Sequence, residues 1–124
     1  MSTKIGRAGE FLAAYILETF GIEVHHVDRD GADLWCKVRD SLTTVQVKAA
    51  STPVAYGKTR KDTPRYRFFC QNAKVDWYCF IALDKQLLIM RRTNDVLTQT
   101  VSIEPKEFNE ANQRRTIEEF MDSC

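Results

Sequence analysis

The stretch GADLWCKVRDSLTTVQVKAA, residues 31–50, reads as two short strands joined by a turn. In its first half Leu34, Cys36 and Val38 alternate with Asp33, Trp35 and Lys37. In its second half Val45, Val47 and Ala49 alternate with Thr44, Gln46 and Lys48. A period of two marks a strand with one buried face. Directly opposed residues of an antiparallel pair share a face, so the two apolar sets must meet. That condition predicts Leu34 near Val47 and Cys36 near Val45, with Asp33 beside Lys48 and Trp35 beside Gln46. An acid, an amide and a lysine then gather on one face at one end of the hairpin.

Upstream, RAGEFLAAYILETF, residues 7–20, is the clearest helix. Ala8, Phe11, Leu12, Tyr15, Ile16 and Phe20 recur at helical spacing, and Gly21 stops the run. The other side carries Glu10, Ala13, Ala14 and Leu17, where a solvated face would be polar. The helix is therefore expected to be covered on most sides, with Glu10 on a face of small residues. IEVHHV then reads as a strand and DRDGA as a turn. His25 and His26, adjacent on that strand, are expected to point to opposite faces, one of them semi-buried.

Downstream, RYRFFCQNA is compatible with a strand or a short helix, and VDWYCFIAL with a buried strand. LLIMRR is the second arm of a hairpin, and DVLTQTVSI a further edge strand. PKEFNEANQRRTIEEFMD gives one or two helices started by Pro105 and packing through Phe108, Ile117, Phe120 and Met121.

The 124 residues, 44% hydrophobic and 28% charged, suit a single soluble domain spanning residues 1–124. No apolar run approaches the roughly 20 residues of a membrane helix, and MSTKIGRAGE lacks an apolar signal core. A cytoplasmic or nucleoid-associated location is the expectation. Cys36, Cys70, Cys79 and Cys124 form no C-x-x-C and have no histidine at zinc-ligand spacing, so they read as reduced thiols. The formal net charge of +1 favours no partner, but residues 58–67, KTRKDTPRYR, hold five basic residues against one acid. With Tyr56 and Tyr66 interleaved, this patch suits phosphate contact and base stacking, which makes Lys58, Arg60, Lys61, Arg65, Tyr66 and Arg67 the candidate DNA-binding residues.

Hydrolysis of a phosphodiester at neutral pH needs a metal held by hard oxygen ligands and a cation near the developing charge. Asp33 supplies a carboxylate, Glu10 a second if the helix packs near the hairpin's polar end, Gln46 an amide oxygen, Val47 a backbone carbonyl, and Lys48 the cation. A helical Glu, an acid on a hairpin strand and (D/E/Q)-x-K on the next strand resemble the PD-(D/E)XK nuclease superfamily, through Glu10, Asp33, Gln46 and Lys48. Over about residues 6–83 the layout most resembles archaeal-type Holliday junction resolvases and small restriction-like or phage-type endonucleases.

The resemblance implies a restriction-endonuclease-like α/β fold, with a mixed central β-sheet flanked by helices. It also implies Mg²⁺ or Mn²⁺ dependence, cleavage of duplex or branched DNA, and a homodimer. Glu10 and Asp33 would hold metal, and Lys48 would act at the attacking water or the phosphate. Ala32 stands where many relatives have Pro, and Gln46 where Asp or Glu is commoner; a transposon-end nuclease subunit is similar in using Q-x-K.

Two other classes compete. In one, the fold persists as a catalytically inactive module that binds DNA or a partner, with Gln46 marking a lost metal. In the other, an unrelated α/β interaction domain carries Asp33 and Lys48 as surface charges more than about 10 Å apart, beyond strong coupling.

Overall fold

The computed structural model describes residues 4–55, 63–71 and 74–124. Helix α1 (Lys4–Thr19) leads into strands β1 (Glu23–Arg29), β2 (Ala32–Val38) and β3 (Ser41–Ala50). They are followed by β4 (Tyr66–Phe69), β5 (Trp77–Ala82), β6 (Leu87–Arg92), β7 (Thr100–Ile103) and helix α2 (Glu110–Asp122). Five strands form a central sheet in the order β1-β2-β3-β5-β6. The β3–β5 pair is parallel and the other neighbours are antiparallel, so the sheet is mixed.

Alternation along the strands builds two cores. Leu34, Cys36, Val45, Val47, Cys79, Leu88 and Met90 face one side, where Ala13, Ile16 and Leu17 of α1 and Ile117 and Phe120 of α2 cover them. Tyr78, Phe80, Ala82 and Ile89 face the other, beneath Tyr66, Phe68, Val101 and Ile103 of a separate β4–β7 sheet and Phe108. Both helices thus lie on one face, and the second face is roofed by a two-stranded ribbon. The four cysteines are free thiols, and burial pushes the Cys36 thiol up to about 12.

The β2–β3 hairpin keeps the expected faces but not the expected register. Leu34 pairs with Val45 and Cys36 with Thr43, two residues from the Leu34–Val47 alignment. The cause is the turn. Val38 pairs directly with Ser41, leaving only Arg39 and Asp40 between the strands, with Arg39 at φ 58. A slip of two preserves every side chain's face, whereas a slip of one would have inverted them all. The β1–β2 turn is the Asp30-Gly31 pair, both at positive φ, as a two-residue hairpin requires.

Two other expectations are corrected. On α1 the small residues Gly9, Ala13 and Ala14 are buried with Ile16 and Leu17, whereas Phe11 and Tyr15 are 54% and 67% exposed. His25 and His26 are both exposed, because β1 is an edge strand; the His26 ring rests 5.0 Å from that of Phe11. The segment around RYRFF is a strand. The TVSI strand pairs with it and not with the central sheet.

Gly9 fixes how near α1 comes to the sheet: a Cβ there would stand 2.6 Å from Ala49 Cβ. Both atoms are rigidly tied to backbone, so relief requires α1 or β3 to move. Gly9→Ala is expected to destabilise by about 1–2 kcal/mol, because about 1–3 kcal/mol of overpacking outweighs the better helix propensity of alanine. Chemical denaturation measures this, and adding Ala49→Gly should recover most of the loss. A Gly9→Ala protein as stable as wild type would mean that α1 is not seated there.

Candidate active site

The β2–β3 ladder ends at the Leu34–Val45 pair, and Asp33 takes over where it stops. Its Oδ2 accepts the Val47 N–H at 2.8 Å. Within a strand, one residue's N–H and C=O point to the same side. The Val47 carbonyl is therefore directed towards the Asp33 side of β3 as well. Gln46 and Lys48, flanking Val47, are half-buried on the face opposite the helices, in parallel register with Tyr78 and Phe80 of β5.

Burial pushes the Asp33 carboxyl above its usual range. The Val47 N–H pulls it down, Glu10 pushes it up further, Lys48 lowers it and Asp28 raises it slightly. Asp33 is thus a desolvated acid within the electrostatic reach of two other carboxylates and one lysine. Glu10, whose charge acts on Asp33, follows Gly9, the residue that seats α1 against Ala49.

One atom here has nothing to do. Gln46 Oε1 is buried and has no hydrogen-bond partner among the described residues. A buried acceptor left unsatisfied costs about 1–3 kcal/mol, and a hard cation would relieve it. Among the described residues no three His, Cys, Asp or Glu side chains are grouped as a metal site. By donor chemistry, the carboxylates of Asp33 and Glu10 with the oxygens of Gln46 and Val47 are the groups that could hold a hard cation such as Mg²⁺ or Mn²⁺.

Two residues join this face that the sequence reading did not place there. Asp28 reaches Asp33 because β1 carries an irregularity between His26 and Arg29, where the register against β2 shifts by one. The acidic Asp28-Arg29-Asp30 run was the visible signal, but a bulge cannot be read from composition. Arg91, opposite Tyr78, stacks over the Phe80 ring at 5.5 Å and adds a cation on the side of Lys48.

The basic patch divides. Lys58, Arg60 and Lys61 lie outside the described residues. Arg65 bridges Glu104 at 3.1 Å, and the Arg67 guanidinium donates to Ser102 Oγ at 2.8 Å. Tyr66, expected to stack on nucleic acid, is instead fully buried. Its ring packs edge-on against Phe108 and its hydroxyl donates to Asp84 at 2.7 Å, so it serves the second core.

The arrangement matches a known architecture. The chain shares its fold with a solved endonuclease. Its structure is similar to that of a bacterial homing endonuclease, I-Ssp6803I, with a TM-score of 0.72 over 99% of this chain and 94% of that one. Identity is 14%, so the likeness is one of fold. No protein-family model matches the sequence, and no curated protein sequence matches it. The mixed central sheet and its helices agree with the fold class expected from the sequence. Among the described residues no helix is long and apolar enough to cross a membrane.

Proposed function

We propose that this protein is a metal-dependent DNA endonuclease of the PD-(D/E)XK type. The observation that carries the reading is the conjunction at the end of the hairpin: a desolvated Asp33 beside the unpartnered Gln46 Oε1, with Lys48 on the same face. The shared fold with a homing endonuclease supports it.

Glu10, Asp33, Gln46 and the Val47 carbonyl would hold Mg²⁺ or Mn²⁺, which supplies Lewis-acid polarisation of the phosphate and a more acidic water. The chain's own groups do the rest. Asp33 is kept in one orientation by the Val47 N–H, and its second oxygen is left for the site. Lys48, seated between β-sheet neighbours, places a fixed positive charge where negative charge develops on the phosphoryl oxygens. Arg91 adds a second cation that would draw the DNA backbone onto this face. Selectivity for branched DNA such as a Holliday junction, and action as a homodimer, belong to the same proposal.

The test is a cleavage assay on linear duplex, single-stranded, supercoiled and four-way-junction DNA with Mg²⁺, Mn²⁺ or EDTA. Cuts that require metal are expected, with the preferred DNA shape revealed by relative rates. A second reading, a catalytically inactive DNA-binding module, is favoured by one observation: Gln46 contributes no negative charge where an acid would help neutralise a dication. Binding to DNA with no cleavage of any substrate would establish that module, and Gln46→Glu would then be the change expected to bring activity.

A further inference from the structure

The β4–β7 ribbon has no part in the site described above, yet its outer surface is unusual. Its inner residues Tyr66, Phe68, Val101 and Ile103 are buried. Its outer residues are Arg67 paired with Ser102 and Phe69 paired with Thr100. Phe69 is 56% exposed although Phe68, its neighbour, already supplies the core contact with Phe80 at 4.9 Å. Nothing in the core requires an aromatic at position 69. Arg67 lies along the ribbon, held by Ser102, and a shallow depression of about 380 Å³ is lined by Arg67, Phe68, Phe69 and Thr100.

We infer that the β4–β7 ribbon reads base sequence by entering the major groove of duplex DNA, with Arg67, Phe69, Thr100 and Ser102 turned to the base edges. This rests on the nuclease reading and extends it to specificity. The major groove, about 12 Å wide and 8.5 Å deep, admits a two-stranded ribbon. Stacked sheets lie about 10 Å apart. A ribbon roofing the sheet face that carries Lys48 therefore stands proud of it by about one groove depth. The two parts are neighbours: Phe68 sits on Phe80, the residue in register with Lys48, and Cys70 just beyond β4 lies within the fields of Lys48 and Arg91. The side-chain chemistry suits base edges. Arginine matches guanine O6 and N7, hydroxyls accept or donate at several bases, and an aromatic edge meets the thymine methyl. Arg67 also places a positive charge on this outer face, of the sign that DNA attracts.

The experiment is selection from a random-sequence duplex library by the full chain in Ca²⁺, followed by sequencing, for wild type, Arg67→Ala, Phe69→Ala and Thr100→Ala. Wild type is expected to enrich a motif, and each variant to lose about tenfold or more in discrimination at one or two base pairs. Thermal melting of each variant guards against misfolding, and three separate positions leave the inference testable if one fails to fold. Variants that enrich the wild-type motif unchanged would overturn the ribbon assignment and leave metal-dependent cleavage standing. So would a wild type that binds duplex but selects no motif. A uniform loss of affinity with a salt slope lower by about one would mark Arg67 as a phosphate contact and also overturn it. Wild type that neither binds nor cuts DNA would overturn the nuclease reading itself.

Discussion

Lys48→Ala is expected to lower the rate of metal-dependent DNA cleavage by about 10²–10³-fold or more, the usual cost of losing one preorganised charge-stabilising donor. The fold should survive. Lys48 is only half-buried, and the main-chain pairing of β3 with β5 does not depend on its side chain. Alanine at a strand position between small neighbours adds no volume, and Asp33 keeps its hydrogen bond from the Val47 N–H. Lys48→Arg is not expected to rescue, because the guanidinium is a planar fork on a longer stem and cannot reproduce a compact ammonium at one oxygen. Single-turnover cleavage reports the rate, and fluorescence anisotropy in Ca²⁺ reports DNA binding, which should fall far less than the rate. A Lys48→Ala protein that cuts as fast as wild type would remove the lysine from the chemistry and leave Arg91 as the cation to test.

The polar face was legible because a period of two in Leu34, Cys36, Val38, Val45 and Val47 fixes which side chains share a side, whatever the register. The register itself was not, since it depends on whether Arg39 will adopt positive φ and close a two-residue turn. Asp33 consequently reaches Val47 and not Lys48 as its direct partner. On α1, hydrophobic periodicity favoured the stripe through Phe11 and Tyr15. Close approach to the sheet selected the small residues Gly9, Ala13 and Ala14, which hydrophobicity alone ranks below aromatics. The β4–β7 pair joins residues more than 30 positions apart, and no local pattern encodes such a partnership. Tyr66 looked like a nucleic-acid contact because it sits among arginines. On a strand, its neighbours Arg65 and Arg67 point away from the side that it faces, and that side turned out to be core.

Asp33→Asn is expected to abolish cleavage and, in the absence of metal, to make the protein more stable at neutral and alkaline pH. The two effects have one origin. Asn presents an Oδ1 that can still accept the Val47 N–H, so the local hydrogen bond is retained, but the desolvated negative charge near Glu10 and Asp28 is gone. The sign follows from linkage. A carboxyl whose pKa is higher in the folded than in the unfolded state binds its proton more tightly when folded. Stability therefore falls as pH rises from the unfolded value through the folded one, and the loss is complete above the folded value. Wild type bears that loss at pH 7–8 and Asp33→Asn does not. Lowering the pH through the Asp33 window protonates the wild-type carboxyl, and the difference between the two proteins should close. Denaturation midpoints in EDTA across that range measure it. Added Mg²⁺ should invert the order, because a cation bound only by the folded state contributes RT ln(1 + [L]/Kd), about 2.7 kcal/mol at a hundred times Kd. Wild type should gain that stabilisation and Asp33→Asn should lose most of it. If Asp33→Asn proves less stable than wild type in EDTA at pH 8, the carboxylate is not held in a desolvated, like-charged setting. If Mg²⁺ stabilises both proteins equally, Asp33 is not a metal ligand, and the unpartnered oxygen of Gln46 must be satisfied in some other way.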